Sequence, residues 1–261
     1  MLRWFDYTLK GIANGLDQEK PVRIFVMGEN VWREEDDWPL ARARNTRFHL
    51  HSFGRANSLA GDGVLSTTPP GAEPADRFLY DPANPVPTQG GGNCCDHDHL
   101  APGVYDQRPV ENRADVLVYS TTPLELDTEV TGPVTVELYA SSSAVDTDFT
   151  AKLVDVHPDG FVRNLADGIL RLRYRNSYET AQPLIPGEIS KINIDLWATS
   201  NLFRKGHQIR LEISSSNFPR YDRNLNTGED LPTGKRMVEA NQTVYHDRDH
   251  PSAVTLPVVP R

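Results

Sequence analysis

A serine nucleophile on a strand-to-helix elbow needs Gly-x-Ser-x-Gly, because the strained turn must expose the hydroxyl. In this chain only Gly11 and Gly15 have that spacing, and Ala13 stands between them. The densest run of ligand-type side chains is Cys94-Cys95-Asp96-His97-Asp98-His99. His and carboxylate at alternate positions of an extended segment put two imidazoles on one side, which is part of a metal site. The run adjoins a glycine stretch, where polar groups are ordinarily solvated, so no metal ligand is assigned and no cofactor is expected. A reactive thiolate needs a cation or a helix N-terminus beside it. His97 and His99 favour one, Asp96 and Asp98 oppose it, and Cys94 and Cys95 therefore read as packing or pocket-lining groups. Adjacent cysteines rarely meet disulfide geometry without strain, so both read as free thiols of a reducing compartment, the cytoplasm.

Four further groupings carry charge. His49 and His51 share a strand face. Arg171, Arg173 and Arg175 form a ladder that suits an anion, or more simply a solvated face paired with carboxylates such as Glu137. Asp146 and Asp148 have the spacing of an acid–base pair. In AVDTDFT their commoner use is in turn bonds to backbone amides, and Tyr221-Asp222-Arg223-Asn224 reads likewise as a self-bonding loop.

The elements that must hold these residues are strands. Val130–Asp159 organises them. In Pro133–Ala140, Val134, Val136 and Leu138 alternate with polar or aromatic neighbours, and Asp148–Val156 is apolar on both faces, as in a strand covered on both sides. A polar loop, SSSAVDTD, joins the two. Alternation also marks 21–28, 46–52, 77–80, 116–119, 168–175, 188–197, 207–215, 243–246 and 253–258. A helix or turn is expected at 198–203. An amphipathic helix is expected over 3–16, closing at Asn14-Gly15. About ten strands without strand–helix–strand alternation predict an all-β, jelly-roll sandwich with a short N-terminal helix. The 20 prolines and 18 glycines among 261 residues agree with many turns. A net charge of −9 argues against nucleic acid and anionic membrane as partners. No apolar run is long enough for a membrane-spanning helix.

Several long stretches together resemble one family: VRIFVMGENVWREEDDWPLARA, LYDPANPVPTQGG, DQRPVENRADVLVYST, EVTGPVTVELYASSSAVDTDFTAKLVDVHPDG, DGILRLRYR and SSSNFPRYDRNLNTG. They are similar to the C-terminal part of the X-prolyl dipeptidyl-peptidase / cocaine esterase hydrolases. In that family an α/β-hydrolase domain with a Ser-Asp-His triad precedes a galactose-binding-like jelly roll. None of the family's triad motifs matches a position here. The resemblance therefore implies a non-catalytic domain (residues 21–261) after a remnant of the hydrolase domain's closing helix (residues 1–20). It also implies a substrate-shaping role, an α/β-hydrolase domain of the same parent as partner, and no activity of the chain alone. The loop 90–106 corresponds to one that leans toward the family's substrate cleft, which assigns pocket-lining positions to Cys94 and Cys95. A severed interface around the N-terminal helix and this loop implies an exposed apolar patch, which self-association would cover. Two other readings stand beside this one: a carbohydrate- or ligand-binding module using Trp32, Trp38 and Trp197, and a metal-dependent enzyme on the 96–99 cluster.

Overall fold

The structure is a computed structural model describing residues 1–94, 98, 100–229 and 233–261. Helix α1 (Leu2–Lys10) is followed by a two-stranded sheet of β1 (Val22–Val26) and β2 (Val31–Glu35). The remaining strands are β3 (Arg44–His51), β4 (Val64–Ser66), β5 (Asp76–Tyr80), β6 (Leu117–Ser120), β7 (Thr128–Ser142), β8 (Asp148–Val156), β9 (Val162–Arg171), β10 (Ser190–Phe203), β11 (Gln208–Ser214), β12 (Ala240–Tyr245) and β13 (Ala253–Val259). A one-turn helix, α2 (Arg108–Glu111), precedes β6. The eleven strands run in the order β5-β12-β7-β13-β3-β4-β6-β11-β8-β9, with β10 on the other edge of β7. The fold is all-β, a jelly-roll-type sandwich.

One layer is built around β7 and the other around β8. Although consecutive in sequence, these two strands do not pair. β7 takes β10, β12 and β13 as antiparallel neighbours, and β8 takes β9 and β11. The polar connection at 143–147 therefore carries the chain from one layer to the other. The layers are also joined through β4, which meets β6 in parallel at Val64 and Ser120. Between them lies one core cluster that includes Val134, Val136 and Leu138 of β7, Phe149, Ala151 and Leu153 of β8, and Leu211 and Ile213 of β11. Each such side chain contributes about 1.5–3 kcal/mol by leaving water.

All nine residues of β8 are buried. Its second face is covered by the long connection between β5 and β6, whose Val86, Val110 and Val116 pack over Thr150 and Lys152. The apolar groups on this face, Val154 and Val156, form a separate small cluster with Val162 of β9.

Several expected boundaries move. α1 stops at Gly11, in the left-handed conformation, where Gly11 and Ile12 amides bond the carbonyls of Tyr7 and Asp6. Asn14 instead folds the following turn back, exchanging side-chain–backbone bonds of 2.9 and 2.7 Å with Arg3. The 168–175 strand ends at Arg171 and continues as a 3₁₀ turn, so the arginine ladder is broken. The 198–203 segment is strand, because β10 resumes pairing after a bulge between Asp195 and Ala198.

Candidate functional site

The long connection that covers β8 also presents a closed loop. Thr88 N–H bonds the Phe218 carbonyl at 2.7 Å and ties the loop's approach to the chain after β11. Gly91 and Gly103 then exchange two backbone bonds, of 2.7 and 2.9 Å, forming a neck. The return strand of the neck lies along β9: Tyr105 N–H bonds Asn164 Oδ1 at 2.8 Å, and Gln107 N–H bonds the Val162 carbonyl at 3.0 Å. Gln107, fully buried, spans the base by donating to the carbonyls of Gln89 and Tyr105. Glycine is required at 90: φ is +65°, and a Cβ would meet the Gly103 oxygen at 2.5 Å.

Buried charges hold the foot of this loop. Lys152 Nζ donates to Gln107 Oε1 at 2.7 Å and lies 3.2 Å from Glu212. Arg210 Nη1 donates to Glu111 of α2 at 2.7 Å. Glu111 is enclosed; burial first, and then the nearby Glu212 charge, push its carboxyl up to about 8. One oxygen on each glutamate, Oε1, accepts no bond from the described residues.

Beside the neck lies an open cleft of about 410 Å³, with Arg171, Tyr174, Tyr178, Arg220, Tyr221 and Asp222 among its walls. Arg220 connects cleft and loop. Its Nη1 donates to Asn93 Oδ1 at 2.6 Å, its Nε is 2.8 Å from Asp167, and its guanidinium lies 5.4 Å from the centre of the Tyr221 ring.

The sequence-derived candidates distribute as follows. Cys94 is exposed and is disulfide-bonded. The free-thiol expectation for Cys94 is thereby corrected. The inference of a reducing compartment loses its support with it. Cys95, Asp96, His97 and His99 lie outside the described residues, and Asp98 is exposed. His51 is paired to Glu73 at 2.9 Å. Asp148 and Asp146 are buried partners of Arg171 and Arg173 rather than a free acid–base pair, and Asn224 donates to both, at 2.8 and 2.9 Å. Arg175 bonds the carbonyls of Leu172 and Gln182, while Glu137 serves Arg47 and Lys191. Trp32 and Trp197 are exposed, and Trp38 is half-buried.

One constellation escapes any reading of spacing. Ser52, Asp76 and His246 meet in the interior, each at most 5% exposed. Ser52 Oγ donates to Asp76 Oδ2 at 2.8 Å, and His246 Nε2 lies 2.9 Å from that same oxygen and 3.1 Å from Ser52 Oγ. A hydrolytic relay places carboxylate and serine on opposite nitrogens of the imidazole. Here Asp76 and Ser52 share Nε2, Glu73 lies 3.4 Å from the opposite nitrogen, Nδ1, and the serine proton is committed to Asp76 in a sealed interior, which leaves no free nucleophile. Tyr119 OH and the Ala56 amide complete the shell of Asp76. Burial opposes charge on both groups. The bond between them, helped by Glu73 at His246 and by the Ala56 amide, Tyr119 and Ser52 at Asp76, outweighs it, holding His246 above and Asp76 below their ordinary values. The set is a buried structural ion pair.

Residues 14–255 match the model of the X-Pro dipeptidyl-peptidase C-terminal non-catalytic domain. The chain belongs to that family. It is 47% identical over 260 residues to cocaine esterase of Rhodococcus sp. (strain MB1 Bresler), a match covering 99% of this chain and 45% of the esterase. Among solved structures it is similar to an aminopeptidase from a marine sediment archaeon, with TM-score 0.86 and 30% identity over 100% of this chain and 43% of that one. It is also similar to an α-amino acid ester hydrolase, with TM-score 0.84 and 30% identity over 98% and 44%. The chain thus spans less than half the length of these relatives. Among the described residues, no helix is long and apolar enough to cross a membrane.

Proposed function

We propose that this domain packs on an α/β-hydrolase domain of the same parent and contributes the 90–106 loop to the wall of its substrate cleft. The parent chemistry would be serine-dependent hydrolysis of esters, amides or X-Pro peptides, with residues 1–20 closing the hydrolase domain and 21–261 forming the jelly roll. The observation that carries this reading is the uncovered apolar face of α1. Leu2, Trp4, Phe5 and Leu9 are all exposed, and no α1 residue is buried. Val104 and Tyr105 are exposed beside the loop neck in the same way. A cluster of exposed large apolar groups marks an interaction surface. On this reading Cys94 and Cys95 line the acyl-side pocket of the intact enzyme.

The test uses the full-length enzyme and the chain alone. A fluorophosphonate should leave the isolated chain unlabelled, since Ser52 is sealed in the core. Cys94→Trp in the full-length enzyme should change kcat/KM for substrates of different acyl size by unequal factors. Equal kcat/KM across the series would remove the cleft role, and stoichiometric labelling of the isolated chain would remove the non-catalytic reading.

A second reading, a ligand-binding jelly-roll module, has one observation in its favour: the three tyrosines and two arginines of the open cleft, which suit stacking and hydrogen bonding to a sugar ring. Calorimetric titration with a glycan panel decides it, and the absence of heat with every glycan would eliminate it.

A further inference from the structure

Two turns meet at one end of the β8 layer: the one after β8, at His157–Gly160, and the one between β10 and β11, at Arg204–His207. They touch, since a Cβ on Gly206 would lie 3.6 Å from Pro158. Three side chains with ligand chemistry converge on this contact. Asp155, the penultimate residue of β8, pairs in register with Ile209, two residues after His207. His207 Nδ1 lies 2.8 Å from Asp155 Oδ1, and His157 Nε2 lies 3.7 Å from Asp155 Oδ2. The two imidazoles are 4.4 Å apart, tilted by 36°. One donor atom from each residue falls within 4.8 Å of the others.

Three features separate this cluster from an ordinary surface pair. Asp155 is 1% exposed, and among the described residues its ion partners are the two imidazoles, with no Lys or Arg. A buried carboxylate is costly unless its charge is met. His157 Nε2 is itself buried and has no hydrogen-bond partner. Its 3.7 Å gap to a carboxylate oxygen is too long for a hydrogen bond. It is close to the roughly 3.3–3.6 Å that separates two donors on a tetrahedral ion with bonds of about 2.0–2.2 Å. Finally, fully buried Asn201 donates to Asp155 Oδ2 at 3.4 Å and orients the carboxylate from behind.

The geometry points to a Zn²⁺-class site formed by Asp155, His157 and His207, clipping the β8–β9 turn to the β10–β11 turn. Two imidazoles and one carboxylate suit borderline transition ions such as Zn²⁺ and not the all-oxygen preference of Mg²⁺ or Ca²⁺. Metal binding at His207 Nδ1 would replace its 2.8 Å contact with Asp155 by a shared bond to the ion. His157 is partly exposed, so the cluster lies near the surface. This site differs from the 96–99 cluster that the sequence singled out.

The experiment titrates the EDTA-stripped chain with ZnCl₂, following Tm by calorimetry and bound metal by mass spectrometry after desalting. One equivalent per chain and a Tm rise of about 5–10 °C at a hundredfold excess over Kd are expected. His157→Gln is the deciding variant, because His157 Nε2 makes no bond that the fold would miss. It should keep the metal-free Tm and bind Zn²⁺ at least about tenfold more weakly. Co²⁺ in the wild type should give the intense visible absorption of four-coordination, absent in the variant. No stoichiometric binding by the wild type overturns the site. Undiminished binding by His157→Gln also overturns it and places the metal elsewhere.

Discussion

Arg171 donates to both oxygens of Asp148, at 3.0 Å each, and Asp148 is wholly buried. Burial lifts the Asp148 carboxyl above its ordinary value, with Arg171 and Asn224 pulling it back. Arg171→Met should therefore cost about 3 kcal/mol at pH 7.5, since it strands a buried charge. The deficit should shrink by pH 5, because the folded variant can take up a proton there that the unfolded chain does not hold. Urea midpoints at the two pH values test this, and equal deficits would mean that lost packing, not charge, is responsible. Glu111 carries a second pH signature. Its folded carboxyl titrates near 8 against an ordinary 4.5, so the folded state holds the extra proton across that window. Its contribution is full below the lower value and fades as pH rises through the upper one. Glu111→Gln should flatten the fall in stability between pH 4.5 and 8 relative to wild type. An unchanged slope would assign that fall to other groups such as His246. These partners were only half legible in the sequence. Arg175 bonds only carbonyls. Arg171 and Arg173 do pair with carboxylates, but not on the solvated face and not with the Glu137 that alternation suggested. Their carboxylates come from 23 and 27 residues away in the chain, across a strand pair and a 3₁₀ turn that alternation does not show.

At the scale of elements, alternation located most of the long strands because one or both faces of each are buried, and burial is what period two records, but it placed β9 at 168–175 where the strand is Val162–Arg171. It missed β2, whose acids and tryptophan lie in an exposed two-stranded sheet, and three-residue β4, too short to show a period. β10 was cut short because the bulge at Asp195–Ala198 shifts the apolar phase. The loop neck was invisible for a different reason: it is made by backbone bonds between two glycines, which have no pattern to read. Gly90→Val tests what the neck does. The new side chain meets the Gly103 carbonyl and the Tyr105 ring and is strained at positive φ. Opening of Gly91–Gly103 should raise amide exchange in residues 90–106 while β7, β8 and β11 exchange as before, since the core cluster does not include the neck. Faster exchange throughout the sandwich would mean that the loop is part of the folding unit and not a presented feature.

The molecule as a whole sets a complete sandwich core beside an apolar helix that takes no part in it. Periodicity located both, and the family resemblance added the expectation that the helix would stay uncovered. Periodicity alone could say that α1 was amphipathic but not that its apolar side would stay uncovered, because coverage depends on what packs there. The structure makes the consequence measurable. The side-chain bonds of Arg3 reach Asn14 and Glu19, within the same N-terminal segment, and no α1 side chain is buried. Deleting residues 1–20 should therefore cost the isolated chain less than about 1 kcal/mol, a Tm change below about 4 °C. Its light-scattering mass at high concentration should move toward the monomer, because the exposed Trp4, Phe5 and Leu9 leave with the deletion. If the proposed packing on a hydrolase domain holds, Phe5→Glu in the parent protein should instead separate the unfolding of the two domains, since a charge placed in that interface would be desolvated without a partner. A loss of several kcal/mol from the deletion in the isolated chain would show that α1 belongs to the sandwich, and the case for a covering hydrolase domain would then have to rest on the loop alone.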